Sequence, residues 1–261
     1  MGDSKTSKRN DDVFRPPRNR TIKSLNDLYV LAGLTSQALL EMQKLVKNED
    51  ADEIEFEAPS ANGETTTVTR DASQLSKLLH QYSARGVYEQ FLVTAVAVTE
   101  DYLQGVLKVI LKWLPKKLNL SVDGKQTDKN IGLDLVLESS TVDEILEAVI
   151  QKQLLSVFYG SPERYFDYVE SVLSIKIDKE LRDSFGENKA TRDIIIHNSG
   201  IANEVYVSKA GAKARARPGE YVKTDTNYFK GAIHTMKKLT HSVYSQTLEK
   251  FGNYVPNRKP K

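Results

Sequence analysis

Apolar residues recur every three or four positions along most of the chain, the spacing of helices that bury one face. From Leu25 the positions Leu28, Leu31, Ala32, Leu39, Leu40 and Leu45 predict a helix ending by about Asn48. The period then changes. Ile54 and Phe56 alternate with Glu53, Glu55 and Glu57, Asn62-Gly63 supplies turn residues of the primed type, and Thr65 to Thr69 is β-branched, so a β-hairpin is predicted there. Its mostly polar faces make it an exposed flap. Asp71 or Ser73 opens a short helix through Leu75, Leu78 and Leu79 to about Ala84, and Gly86 separates it from the next.

Val87 to Trp113 is the longest apolar segment and Pro115 stops it. Thr99, Glu100, Asp101 and Gln104 interrupt it well short of the ~20 apolar residues of a membrane span, so it reads as the central helix of a bundle. Glu100 falls on the same stripe as Val93, Val96, Leu103 and Leu107, where a carboxylate needs a partner. Ser121 to Asn130 is turn-rich and polar. A short apolar run at Leu133 to Leu137 precedes an amphipathic helix opened by Ser140 or Thr141 and lined by Val142, Ile145, Leu146, Val149, Ile150 and Leu154. Ser161-Pro162-Glu163 is a helix start, with Tyr165, Phe166, Val169, Val172 and Leu173 on the buried face. Asp178 or Asn188 begins the following helix, and Gly200 ends it. Val205 to Val207 and Tyr221-Val222 flank a basic, glycine-containing loop, read as a small hairpin with a basic tip. Asp225 or Thr226 begins a last helix running through Leu248.

The pattern gives a mainly α protein, an antiparallel helical bundle with an N-terminal helix plus β-hairpin extension. Its divisions are a flexible basic arm at 1–23, the extension at 24–84, the bundle at 85–251 and a basic tail at 252–261. Composition is that of a soluble globular chain, 39% hydrophobic and 28% charged over 261 residues. With no cysteine there is no disulfide, thiolate nucleophile or zinc–cysteine site. The polar, basic first 20 residues do not form the apolar core of a signal peptide, so a cytoplasmic protein without membrane contact is expected. Residues 1–23, 205–223 and 256–261 carry net +4, +4 and +3 against +2 for the whole chain, so the remainder stands at −9. Such basic segments suit a phosphate backbone, although tails and loops also collect solvated lysine and arginine.

One stretch looks like chemistry. Arg192-Asp-Ile-Ile-Ile-His-Asn-Ser-Gly200 sets an arginine and a histidine around three isoleucines that should be enclosed in a packed core. Asp193 and His197, four apart, share a helical face, so the carboxylate can orient the imidazole. Glu100 is the candidate buried partner of Arg192. Arg192 and His197 are rotated by about 140° from one another on a regular helix. Either the arginine reaches around, the helix loosens at His197-Asn198, or a second subunit completes the site. No histidine has a trustworthy metal-ligand spacing, so neither metal nor cofactor is expected.

An arginine, four residues and a histidine followed by asparagine resembles the signature of the HEPN superfamily, all-helical domains many of which are metal-independent endoribonucleases. The resemblance extends to Phe158-Tyr159-Gly160-Ser161-Pro162, Arg164-Tyr165-Phe166 and Gly200-Ile201-Ala202-Asn203, covers roughly residues 85 to 250, and leaves the first 84 uncovered. It implies a homodimer in which two signature helices face each other across a composite RNA-cleaving cleft. It also implies a prokaryotic defence, stress or toxin role, with an antitoxin or other regulatory partner protein as a further expectation. One branch carries a tyrosine two places after the histidine, where an antitoxin can modify it, but Ser199 stands there in this chain.

The residue types fit cleavage without metal. His197 can act as base on a ribose 2′-hydroxyl or as acid on the leaving 5′-oxygen, and Arg192 can fork onto the scissile phosphate. Asn198 can donate to that phosphate or orient the imidazole, with Asp193 and Glu100 in support. Lys209, Lys213, Arg215 and Arg217 are the candidate RNA-binding residues. The alternative is a non-catalytic dimeric module of the same fold that binds RNA or protein, with Arg192 and His197 structural.

Overall fold

The structure, a computed structural model, describes residues 12–48, 53–120, 132–158 and 162–254. It is mainly helical, with a long N-terminal helix followed by a two-stranded antiparallel hairpin. The first helix, α1, spans Arg15–Asn48 and starts earlier than expected. Within the supposed basic arm at 1–23, residues 15–23 are helical, because Pro16 and Pro17 occupy the first turn, where an amide hydrogen would have no helical acceptor. Phe14 anchors this end, buried edge-on against Trp113 with ring centroids 5.6 Å apart. Asp12 accepts from its own turn at Phe14 N (3.1 Å) and from the Tyr244 hydroxyl (2.5 Å). Residues 1–11, the turn-rich segment at 121–130, Tyr159, Gly160, the expected cap at Ser161 and the residues beyond Tyr254 lie outside the described residues.

Strands β1 (Ile54–Pro59) and β2 (Thr65–Arg70) pair antiparallel with Ile54 opposite Arg70 and Phe56 opposite Val68. The connection is longer than the two-residue primed turn expected. Ser60 N donates to Glu64 O (2.8 Å) and Gly63 N to Ser60 O (3.1 Å), with Gly63 alone at positive φ (+86°), so Asn62-Gly63 closes a wider turn. Both strands are largely exposed. Helix α2 (Ala72–Gln81) is capped by Asp71, whose carboxylate accepts from Gln74 N.

Gly86 does not break the chain between α2 and the next helix. Tyr82–Gly86 is one π-helical turn leading directly into α3 (Val87–Trp113), and Gly86 itself is in the right-handed helical region. The glycine is there for space: a Cβ would meet the Tyr82 ring at 2.7 Å. Ser36 of α1 donates to the Ser83 carbonyl (2.8 Å), fastening α1 to this wider turn.

Helix α3 runs through the centre, with Leu92, Leu103, Leu107, Ile110 and Leu111 wholly buried. Around it pack α1, α5 (Val142–Phe158), α6 (Pro162–Leu173), α7 (Lys179–Asn198) and α9 (Thr226–Phe251), while α4 (Leu133–Glu138) is a short preceding helix. Thr141 Oγ1 accepts from Glu144 N at the head of α5, Asp178 from Leu181 N at the head of α7 and Asp225 from Tyr228 N at the head of α9. Tyr165 and Phe166 of α6, Phe158 of α5 and Phe185 of α7 form one aromatic cluster with centroids 4.5 to 6.4 Å apart. Tyr254, within the expected basic tail, stacks on Trp113 at 5.6 Å.

The segment after α7 corrects the expected second hairpin. Val205 to Val207 belong to a helix, α8 (Glu204–Ala210), begun by Asn203, and an isolated bridge pairs Ile201 with Tyr221 instead. Ala190, Ile194, Ala202, Tyr206, Ala210 and Val222 form a small second core beneath it. Both Ser199 (φ +51°) and Gly200 (φ +76°) are left-handed at the end of α7, so the helix exit uses two residues rather than Gly200 alone.

Because the β-hairpin touches the rest of the molecule only lightly, through α2, deleting residues 53–70 should leave the bundle folded. The melt followed by circular dichroism should stay cooperative, and its loss would place the hairpin in the core.

Candidate functional site

A central helix with a carboxylate on its buried stripe obliges its neighbours to answer it. Glu100 of α3 does this to α7. Its Oε1 takes the Lys189 ammonium and its Oε2 takes Arg192 Nη2 at 3.0 Å. Lys189 is buried, also donates to the Phe158 carbonyl (2.8 Å), and lies over the Tyr165 ring at 5.2 Å. Burial, and then the charge of Glu100, push the Tyr165 phenol well above its ordinary value. Lys189 escaped sequence reasoning, although its position three residues before Arg192 on one helical face was a readable signal.

Arg192, Asp193, His197, Asn198 and Glu100 line one solvent-open cleft of about 490 Å³, together with Lys189, Gln104, Tyr206 and Lys209. The signature residues are therefore gathered, yet several contacts differ from those expected. Asp193 does not hold His197. Its carboxylate faces two cations, Arg192 Nε at 3.1 Å and Lys209 Nζ at 2.9 Å, which bind it more strongly than an imidazole would. The Arg192 contact is one of charge alone, since the Nε hydrogen is not aligned on the oxygen. The His197 imidazole is exposed on the rim and has no hydrogen bond or ion pair with any described residue. Asn198 donates to the Ile201 carbonyl at 2.7 Å, so one of its two amide hydrogens is committed to the helix exit.

The isoleucine run is not uniformly enclosed. Ile194 is buried in the small core and Ile195 packs partly against the large one, but Ile196 is 50% exposed. Three successive helical positions sweep about 200°, more than the neighbouring elements cover. Leu155 of α5 and Val205 of α8, both lining the cleft, are exposed as well.

The basic loop is less free than its composition suggests. Lys209 pairs with Asp193, Lys213 with Glu180, and Arg215 with Glu187 at 2.8 Å; among the described residues only Arg217 of the four has no ion pair. Of these candidates only Lys209 borders the cleft. Arg215 is structural. It lies 3.5 Å over the Tyr228 ring and donates to Thr191 Oγ1 and the Lys223 carbonyl. Burial works against its charge, but Tyr228 and Glu187 outweigh burial and raise its pKa.

Buried Glu187 is the hub that sequence reading missed. Its oxygens accept from Thr191 (2.6 Å), Tyr206 (3.2 Å), Arg215 (2.8 Å) and Tyr228 (2.8 Å), joining α7, α8, the loop and α9. Burial first, then the Glu187 charge, raises the Tyr228 phenol, which remains a proton donor. Comparison with known proteins finds no matching family model, curated protein or solved structure. Among the described residues no three His, Asp or Glu side chains form a group able to hold a metal ion, and no helix is long and apolar enough to cross a membrane.

The ion cluster makes an asymmetric prediction. Glu100→Ala strands the buried Lys189 ammonium and should cost about 3 to 5 kcal/mol in denaturant unfolding. Arg192→Ala leaves Glu100 paired with Lys189 and Asp193 with Lys209, and should cost no more than about 1 kcal/mol. Equal losses would show that Arg192, rather than Lys189, is the essential counterion.

Proposed function

We propose that the protein is a metal-independent endoribonuclease of the HEPN type, acting as a homodimer in the cytoplasm. The observation that carries this reading is that Arg192, His197 and Asn198 border one open cleft in which Lys189, Arg192 and Lys209 outnumber Glu100 and Asp193. An anion is favoured there, and the exposed imidazole at the rim can exchange protons with a substrate.

In the proposed reaction one imidazole takes the proton of a ribose 2′-hydroxyl as that oxygen attacks the adjacent phosphorus. The bond from phosphorus to the 5′-oxygen breaks, and an imidazolium protonates the leaving oxygen. The products are a 2′,3′-cyclic phosphate and a 5′-hydroxyl. Arg192 carries the developing phosphate charge, which requires it to exchange the carboxylates of Glu100 and Asp193 for phosphate oxygens. His197 lacks an orienting partner among the described residues, and the exposed Leu155, Ile196 and Val205 beside it offer an apolar rim for a second copy's α7. A prokaryotic defence or toxin role, with a regulatory partner, belongs to the same reading.

A second reading rests on the pairing of Arg192 with two carboxylates. An arginine so neutralised suits a dimeric RNA- or protein-binding module with no catalysis. Incubation with total RNA in EDTA, followed by sequencing of new ends, separates the two. The ribonuclease reading expects cyclic-phosphate ends that vanish in Arg192→Ala and in His197→Ala while both variants melt near the wild type. Mixing the two variants should restore part of the activity through heterodimers with one intact composite half-site. RNA left intact by wild-type protein would favour the binding module, and absent recovery with a monomeric mass would remove the composite site.

A further inference from the structure

Helix α1 has two apolar stripes and uses only one. Leu25, Ala32 and Val46, with Leu39 partly buried, face the bundle. At 100° per residue, Leu31, Leu34, Ala38, Met42 and Leu45 fall within an arc of about 80°, centred roughly 110° away from that face. Leu31 is 50% exposed, Leu34 59%, Met42 51% and Leu45 65%, and Ala38 is exposed between them. Single exposed leucines are ordinary, but a continuous row on one helix marks a surface that is covered in use.

The spacing of the row fits a second copy of itself. Its successive steps are three, four, four and three residues, the same read from either end. We propose that two copies of the chain pair through this face, antiparallel, about a two-fold axis at Ala38. Leu31 then packs on the partner subunit's Leu45 and Leu34 on the partner subunit's Met42. Ala38 meets its own symmetry mate, where a small side chain lets two helices approach to about 8 Å. A two-fold interface must be self-complementary, and this row is so by its own arithmetic. Leu31 and Met42 stand eleven residues apart, a spacing of about 3.67 residues per turn that gives paired helices a slight right-handed supercoil.

Charge selects antiparallel over parallel pairing. A parallel in-register pair would set Arg20, Asp27 and Glu41, which lie along or beside the row, against their own copies. The antiparallel register carries Arg20 and Asp27 past the core of the contact and puts Glu41 across from Thr35. The two helix dipoles also oppose one another in this arrangement. The proposal is independent of the ribonuclease reading, since α1 contributes nothing to the cleft.

The absence of cysteine from the chain makes the test clean. Under mild oxidation Ala38→Cys alone should form a disulfide-linked dimer roughly tenfold or more faster than Gln37→Cys, which points away from the row. Leu31→Cys alone should stay slow, and Leu31→Cys with Leu45→Cys in one chain should become fast. Leu34→Glu with Met42→Glu should halve the mass measured by light scattering while leaving the helical circular-dichroism spectrum intact, because both residues are exposed in the single chain. Leu31→Cys linking as fast as Ala38→Cys would establish parallel pairing and overturn the register. Ala38→Cys no faster than Gln37→Cys, or a mass unchanged by the double glutamate variant, would overturn the interface and assign the row to another partner.

Discussion

The buried carboxylate of Glu100 is the constraint on which the functional region depends. A charge on the inner stripe of the central helix is tolerated only if cations are brought to it, and both cations come from α7. The rotation of α7 about its own axis is thereby specified, because Lys189 and Arg192 must point inward together. His197, five residues beyond Arg192, is then turned towards the rim. A property of α3 thus determines which face of α7 meets solvent.

A second polar centre holds the opposite side of α7. Glu187 gathers hydroxyls and a guanidinium from α8, the following loop and α9, so the small core beneath α8 is fixed by hydrogen bonds as much as by apolar area. The loop that looked like a basic tip is consumed in building this support. Lys209, Lys213 and Arg215, though not Arg217, are held by Asp193, Glu180 and Glu187, whose carboxylates account for their retention close to the body.

Periodicity made most helices legible, as at Val87–Trp113, where Pro115 marks the end, and at Thr226–Phe251, where Asp225 marks the beginning. It was misleading where composition stood in for geometry. A flexible arm was expected through residue 23, yet Pro16 and Pro17 are at home in the first turn of α1, and Gly86 suggested a break yet supplies room for Tyr82. The need of Glu100 for a partner could be read from its stripe, and Arg192 could be named as a candidate. That Asp193 prefers Lys209 to His197 could not, because Lys209 reaches it from α8, and that helix was itself read as a strand. Glu187 was hidden for a similar reason: its partners are scattered from Thr191 to Tyr228 and meet only after folding.

The seat of α1 has a consequence for how the chain is made. Its N-terminal end is held by residues near the other end of the protein: Asp12 by Tyr244, Tyr29 by Phe229 at 6.2 Å, and Phe14 by Trp113, which in turn stacks on Tyr254. During synthesis the first helix emerges long before α9 exists. Until the last helix leaves the ribosome, α1 can rest only on α2, the π-helical turn and α3, with one flank of its binding groove unfilled. Closure of the bundle is therefore a late, long-range event, whose loop-closure entropy spans almost the whole sequence.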